Sequence, residues 1–387
     1  APVAGLPLTH LACWGNSIRD LGPLRGTPLA VLNCAGNPIT SLEPLRGMAL
    51  HSLRCEGCRI TTLEPLSGMP LTFLNVSENP LEDGIEPLAG MKLTWLSCIH
   101  CGIETLEPLR GMPLTMLFCE ANRFTSLEPL SGMPLTEMAC SGNRIESLEP
   151  LTGLPLNTLR CSDTRVRSLE PLRGMPLSTF SIQANRVESL EPLRGMPLAA
   201  LYCGGNRIKD LGPFIKNPPS TFLFECDALS TEELQFIFNT WSRDFRFAHH
   251  ARNVEVLLAL RRGDVKKLRE LATPFGGHHY LFVPKYLTWA EARDACVKVH
   301  GHLASITSAE ENEFVASMFP LGGSWYWIGL ETVGGRHQWV SGEPFDYSAF
   351  ISVLQSSASG PWVFSGKCWC YDLIPNAHNA FILEWDD

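Results

Sequence analysis

Leucine recurs along the first half of the chain on a fixed beat. Leu8, Leu29, Leu50, Leu71, Leu93, Leu114, Leu135, Leu156, Leu177 and Leu198 stand 21 residues apart, with one 22-residue step from Leu71 to Leu93. Three residues after each comes an apolar residue (Leu11, Leu32 and Leu53 in the first units), and five after comes a cysteine in eight units of ten. Eight after comes Asn, Cys or Thr, as at Asn16, Asn37, Cys58 and Thr164. Apolar positions two apart, flanked by variable ones, describe a short strand whose side chains alternate between two faces. A unit this short cannot bury its own apolar side, so units must stack, and stacked strands form a parallel sheet. The Asn column turns the chain after each strand, where its amide satisfies backbone groups. The return segment, as in Ile39-Thr40-Ser41-Leu42-Glu43-Pro44-Leu45, supplies further buried positions. Its proline limits long helix, so the convex side is expected to be 3₁₀ or irregular. Gly84, the extra residue of the long step, is expected to bulge there.

These ten units, over roughly residues 5–213, resemble the leucine-rich repeat, L-x-x-L-x-L-x-x-N/C-x-L. The resemblance implies an α/β solenoid with parallel β on its concave face. The inward cysteines read as small buried hydrophobes. Neighbouring columns would hold sulfurs about 4.8 Å apart with parallel Cβ vectors, a poor geometry for bridges, so stacked free thiols are expected.

The frame is monotonous, but offsets two, four and six from the first leucine vary and should face the concave side. Phe73, Trp95, Ile99, Met116 and Phe118 fall there on three successive repeats, and Tyr202 follows on the tenth. Such an apolar cluster serves either as a partner surface or as packing against another part of the chain.

The beat fades after Phe214. Ser230-Thr231-Glu232-Glu233 reads as a capping box opening a helix with Leu234, Ile237, Phe238 and Trp241 on one face. Further helices are expected at Val254–Arg262 and about Val265–Ala272, making residues 214–275 a cap and spacer. His249-His250 reads as a solvated pair, since no carboxylate or thiol lies beside it at ligand spacing.

From about residue 276 tryptophan becomes frequent. A strand (Tyr280–Val283), helices (Thr288–His300, Ser308–Phe319) and short Trp-rich strands are expected. The segments Leu287-Thr288-Trp289-Ala290-Glu291-Ala292-Arg293, Gly301-His302-Leu303-Ala304-Ser305-Ile306, Trp327-Ile328-Gly329-Leu330 and Phe381-Ile382-Leu383-Glu384-Trp385 resemble a C-type lectin-like domain, of α+β fold, over 276–387. Repeats, helices and this domain in that order resemble bacterial proteins of the planctomycete and Lentisphaera type. The resemblance implies a disulfide from the helical cysteine to the last strand. Cys296 occupies the first position but Leu383 stands at the second, so that bridge is not expected. Calcium-dependent sugar binding in such domains uses Glu-Pro-Asn or Gln-Pro-Asp and then Trp-Asn-Asp. Here Glu343-Pro344-Phe345 lacks the amide and Trp369-Cys370-Tyr371-Asp372 keeps one acid, too few oxygens for calcium. The segment from Asp346 to Tyr371 is instead apolar for a surface loop, with Phe350, Ile351, Val353, Leu354, Phe364 and Tyr371 as candidate contact residues. Lectin-like folds also display loops diversified by retroelements, and residues 348–371 are expected to be such a paratope.

Composition narrows the function classes. A net charge of −9 with no basic stripe disfavours nucleic acid. No apolar run reaches membrane-spanning length and no signal peptide is evident. The 14 cysteines read as reduced, which favours a cytosolic setting. The chain opens on the tail of a repeat with no cap before it, so upstream sequence is expected. No P-loop, G-x-S-x-G, H-E-x-x-H or paired C-x-x-C occurs, so no catalytic residue, metal site or cofactor is expected. The reading is a non-catalytic recognition protein for a protein partner. The alternatives are a carbohydrate-binding lectin and the recognition region of a larger enzyme such as a kinase.

Overall fold

The computed structural model describes residues 6–224, 228–318, 326–333, 336–345, 361–365, 368–371 and 379–386. The chain divides into two compact units. One is Ala1–Ser181 with Asn185–Val187 and Pro192–Leu198, and the other is Ile182–Ala184 and Glu188–Glu191 with Ala199–Asp387.

In the first unit each repeat contributes one three-residue strand. These are β1 (His10–Ala12), β2 (Val31–Asn33), β3 (Ser52–Arg54), β4 (Phe73–Asn75), β5 (Trp95–Ser97), β6 (Met116–Phe118), β7 (Glu137–Ala139), β8 (Thr158–Arg160) and β9 (Thr179–Ser181). Each pairs in parallel with the next, with no slip in register, as in Phe73↔Trp95 and Trp95↔Met116. The fold is a leucine-rich-repeat solenoid. The leucine and cysteine columns form its core: Leu53, Cys55, Leu74, Leu96, Cys98, Leu117 and Cys119 are all fully buried. A single 3₁₀ turn closes each repeat of this unit, Gly22–Leu24 in the first and Glu-Pro-Leu in the others, such as Glu43–Leu45 or Glu64–Leu66. Proline sits at the start of these turns, where its missing N–H has no partner to lose. Gly84 takes φ +61° in the turn just before Glu86–Leu88, so the extra residue is absorbed outside the sheet.

The asparagine column does more than turn the chain. Asn79 Nδ2 donates to Val76 O at 2.8 Å in its own repeat and to Cys55 O at 2.9 Å in the repeat before. Its Oδ1 accepts from Ile60 N at 3.0 Å. Asn37 and Asn122 repeat the pattern. Each buried amide thus joins two repeats. Where cysteine replaces asparagine, the thiol keeps the donor half of the link: Cys101 Sγ reaches Val76 O at 3.3 Å and Cys58 Sγ reaches Cys34 O at 3.6 Å.

The core cysteines are free thiols, as are Cys58, Cys101 and Cys296, and burial pushes the pKa values of Cys34, Cys55, Cys98, Cys119, Cys140 and Cys161 well up.

The second unit opens with two more parallel strands, β10 (Ala200–Tyr202) and β11 (Thr221–Leu223). Three helices follow: α1 (Thr231–Trp241), α2 (Ala248–Arg262) and α3 (Val265–Leu271). Ser230 caps α1 in the expected box, with Glu233 N to Ser230 Oγ at 3.1 Å and Ser230 N to Glu233 Oε2 at 2.7 Å. The histidine pair departs from expectation. Helix α2 begins at Ala248, six residues before the expected Val254, and this turns His250 inward. It is buried, its ring lies 5.7 Å from that of Trp241, and burial lowers its pKa to about 4.

The remaining elements are β12 (Thr273–Phe275), β13 (His278–Leu287), α4 (Trp289–Lys298), β14 (His302–Leu303), α5 (Ala309–Ser317), β15 (Tyr326–Val333), β16 (Arg336–Trp339), β17 (Pro361–Ser365), β18 (Cys368–Tyr371) and β19 (Asn379–Asp386). The sheet runs β12-β13-β19-β15-β17-β18, with β14 on β19 and β16 on β15. Alternation along β13 and β19 divides the core between two faces. Leu281, Leu383 and Trp385 pack with Trp327 and α4, whereas Tyr280 and Ile382 pack with Ile328, Trp339 and α5. Cys296 sits in the first cluster beside Leu383, a hydrophobe where a bridge would otherwise stand. The segment expected as one loop to Tyr371 contains a hairpin, β17 on β18, because its β-branched and aromatic residues favour strand.

Two outcomes follow from this core. Asn79→Ala leaves buried carbonyls and the Ile60 N–H unpaired and is expected to destabilise by about 3 kcal/mol, whereas Asn16→Ala, exposed in the first repeat, stays within about 0.5 kcal/mol. Urea denaturation compares them, and equal effects would contradict the linking role. Alkylation of the native protein with iodoacetamide and peptide mapping should leave Cys55, Cys98, Cys119 and Cys140 unlabelled, since their thiols are buried and protonated.

Candidate functional site

Strand register builds the concave surface. Phe73, Trp95 and Met116 are directly opposite on β4, β5 and β6, and Phe118 lies two residues on from Met116. Adjacent parallel strands lie about 4.8 Å apart, close enough for flat rings to meet. The Phe73 and Trp95 rings stack at 4.1 Å and 10°, and Trp95 meets Phe118 at 5.4 Å and 44°. Arg54, on β3, extends the row with its guanidinium 4.9 Å from the Phe73 ring centre. Phe73, Trp95, Met116 and Phe118 are half-buried, so the row keeps part of its surface exposed. Ile99 lies just past the end of β5, half-buried, with its N–H on Ser77 Oγ at 3.2 Å. Each ring contact contributes about 0.5–1.5 kcal/mol, enough to hold the rings in one arrangement before anything binds.

Two carboxylates flank this row in the offset-six column. Glu56 follows β3 and Glu120 follows β6. Both are half-buried, and each has an Oε2 with no hydrogen-bond partner. Burial raises the pKa of each. Arg160, 45 % exposed and paired with Glu137 at 3.2 Å, lowers the Glu120 value, but less than burial raises it. The sequence shows these acids at a concave offset, but their desolvation depends on neighbours that differ from repeat to repeat.

Tyr202 does not join the row. It is half-buried and packs in the second unit against Tyr326 and Ala380 of the C-terminal sheet, with Phe282 beside it. Phe364 and Tyr371 lie on β17 and β18, where Phe364 pairs with Trp369 and Tyr371 with Trp362. Phe350, Ile351, Val353 and Leu354 lie outside the described residues.

The Glu343-Pro344-Phe345 segment serves packing. Phe345 lies 6.0 Å from Trp339 and 5.6 Å from His337, ring to ring, and Glu343 accepts from Ser341 Oγ at 2.9 Å. Glu311 accepts from Thr307 N at 2.7 Å and from the buried Tyr280 hydroxyl. Glu384 is fully buried on β19. Its Oε2 accepts from Ser305 N at 2.8 Å, and burial first, with like charge from Glu343 and Glu311, raises its pKa to about 8. Among the described residues no helix is long and apolar enough to cross a membrane.

The second unit's C-terminal sheet is matched by a family profile, the lectin C-type domain, over residues 285–371. The chain is 41 % identical over 75 residues to C-type lectin domain family 4 member F of Rattus norvegicus, covering 19 % of this chain and 13 % of that protein. It is 31 % identical over 101 residues to snaclec botrocetin subunit beta of Bothrops jararaca, covering 24 % of this chain and 81 % of that protein. The solved structure of an internalin (inlF) of Listeria monocytogenes is similar in fold, with a TM-score of 0.52 and 20 % identity over 60 % of this chain and 78 % of that one.

The Glu120 carboxyl gives a pH signature. Its folded-state pKa lies above the ordinary 4.5, so the folded state holds the proton to higher pH than the unfolded chain. Stability from this group is therefore present below about 4.5 and lost as pH rises through the raised value. Glu120→Gln should gain on the native protein through that window and hold the gain above it. Urea midpoints from pH 4 to 7 test this, and parallel curves for the two proteins would contradict it.

Proposed function

We propose that this chain, which belongs to the C-type lectin domain family through its C-terminal region, is a non-catalytic recognition protein that binds a protein partner on the concave face of its repeats. The observation that carries this reading is the ordered row Arg54, Phe73, Trp95 and Phe118, partly exposed and fixed by strand register. Aromatic and arginine side chains dominate interface energetics when water is excluded from around them. Ordering a free side chain on binding costs about 0.5–1.5 kcal/mol, and rings already stacked avoid most of that loss. Glu56 and Glu120 set the partner's chemistry. Each is a desolvated carboxylate with an unpaired oxygen, and a lysine or arginine beside an apolar anchor would satisfy it while its neighbour covers the rings. The partner segment is therefore apolar with an adjacent basic residue. Residues 348–371 would supply a second, diversified contact, which a near-identical template repeat beside the gene would support and its absence would remove.

Peptide phage selection on the full chain, with counter-selection on the Trp95→Ala/Phe118→Ala double variant, tests the repeat face. Enriched peptides should pair an aromatic or aliphatic residue with Lys or Arg and bind the double variant at least about 100-fold more weakly, given losses of 2 kcal/mol or more at such anchors. Equal binding to both proteins, with the variant's far-ultraviolet circular dichroism unchanged, would remove the row from the function. Chelator-sensitive binding on a glycan array, with no peptide enriched, would replace this reading with the carbohydrate alternative.

A further inference from the structure

Two histidines and two carboxylates converge at one end of the C-terminal sheet, from positions up to 108 residues apart in the chain. His278 and Asp386 are paired in register on β13 and β19, and His302 on β14 is paired with Glu384 on β19. Gly301 makes the approach of β14 close enough. A Cβ there would stand 2.6 Å from Glu384 O and 2.7 Å from Leu383 Cδ1, so any side chain would force β14 off β19 and carry His302 away.

The donor atoms lie close together. His278 Nδ1 is 2.9 Å from Glu384 Oε1 and 2.9 Å from Asp386 Oδ1, and His302 Nε2 is 3.4 Å from Asp386 Oδ1. Ligands about 2.0–2.1 Å from a tetrahedral ion are separated by about 3.3 Å, and the donor atoms of His278, Glu384 and Asp386 all lie within 4.8 Å of one another. His278 Nδ1 is hydrogen-bonded to Asp386 Oδ1 at 2.9 Å. Glu384 Oε1, fully buried, is left with no hydrogen-bond partner although that nitrogen faces it. A buried carboxylate oxygen aimed at a ring nitrogen, with a second carboxylate beside it, is the arrangement a cation resolves. The backbone orients the His302 ring, whose Nδ1 lies 3.1 Å from Leu303 O. A proton there leaves Nε2 as the free electron pair facing the cluster.

We propose that His278, Glu384 and Asp386 bind one divalent transition metal of the zinc class, with water in the fourth position and His302 beside Asp386. Imidazole with carboxylate favours such an ion over calcium, which takes six to eight oxygens. The ion would tie β13 to β19. Asp386, with its side chain 63 % exposed, opens the site to solvent, so the metal can enter the folded protein.

The test uses the full chain stripped with chelator and titrated with cobalt(II), then zinc(II). Cobalt should produce the intense visible d–d bands of a four-coordinate ion, without near-ultraviolet thiolate charge transfer, and one equivalent of zinc should abolish them. His278→Ala should weaken zinc binding more than about tenfold. Asp386→Asn, at an exposed position that leaves the core intact, should do the same should the histidine variant fail to fold. Absence of binding, thiolate bands, affinity unchanged in the folded variants, or equal displacement of cobalt by calcium would each overturn the assignment.

Discussion

The structure of the first unit depends on one buried contact: the side-chain amide that joins each repeat to the one before it. A three-residue strand offers few backbone hydrogen bonds to its neighbour, and so short a ladder fixes register weakly by itself. Asn37, Asn79 and Asn122 add donors to carbonyls of two repeats and an acceptor for an N–H of the earlier one. All three are buried, so a slipped repeat would leave the amide unsatisfied in a place water does not reach. The leucine and cysteine columns supply the favourable burial, and the asparagine column decides which stacking satisfies it. Cys58 and Cys101, which reach carbonyls through sulfur, retain the weaker half of the same device.

Register then builds the proposed binding face. Because β4, β5 and β6 are paired without a bulge, variable side chains at equivalent offsets stand side by side, and Phe73, Trp95 and Phe118 meet as rings. In the proposed reading the frame can stay nearly constant while three or four concave positions change the partner. That reading separates what folds the protein from what it would recognise, and confines the recognition chemistry to residues that the core does not need.

Much of this was legible in the sequence because the repeat reports itself ten times. The beat of leucines, the proline turns, the free thiols, the capping box at Ser230 and the aromatic row all follow from local spacing. What was not legible depends on where one element meets another. His250 reads as solvated until α2 begins at Ala248 and turns it against Trp241. Tyr202 has the right offset for the concave row, yet it packs with Tyr326 and Ala380, a contact across more than a hundred residues that no repeat pattern announces. The cluster of His278, His302, Glu384 and Asp386 arises only from strand pairing, so no short motif could have signalled it. The raised pKa of Glu120 likewise belongs to its surroundings rather than to its letter.

Native-state hydrogen exchange resolved to single amides tests the amide link most directly. The N–H groups of Ile60, Ile103 and Val166, each bonded at 3.0 Å to the side-chain oxygen of Asn79, Asn122 or Asn185 in the next repeat, should exchange as slowly as the strand amides of their own repeats. Fast exchange at these three positions while the strands stay protected would show that the asparagine column does not hold the repeats in register.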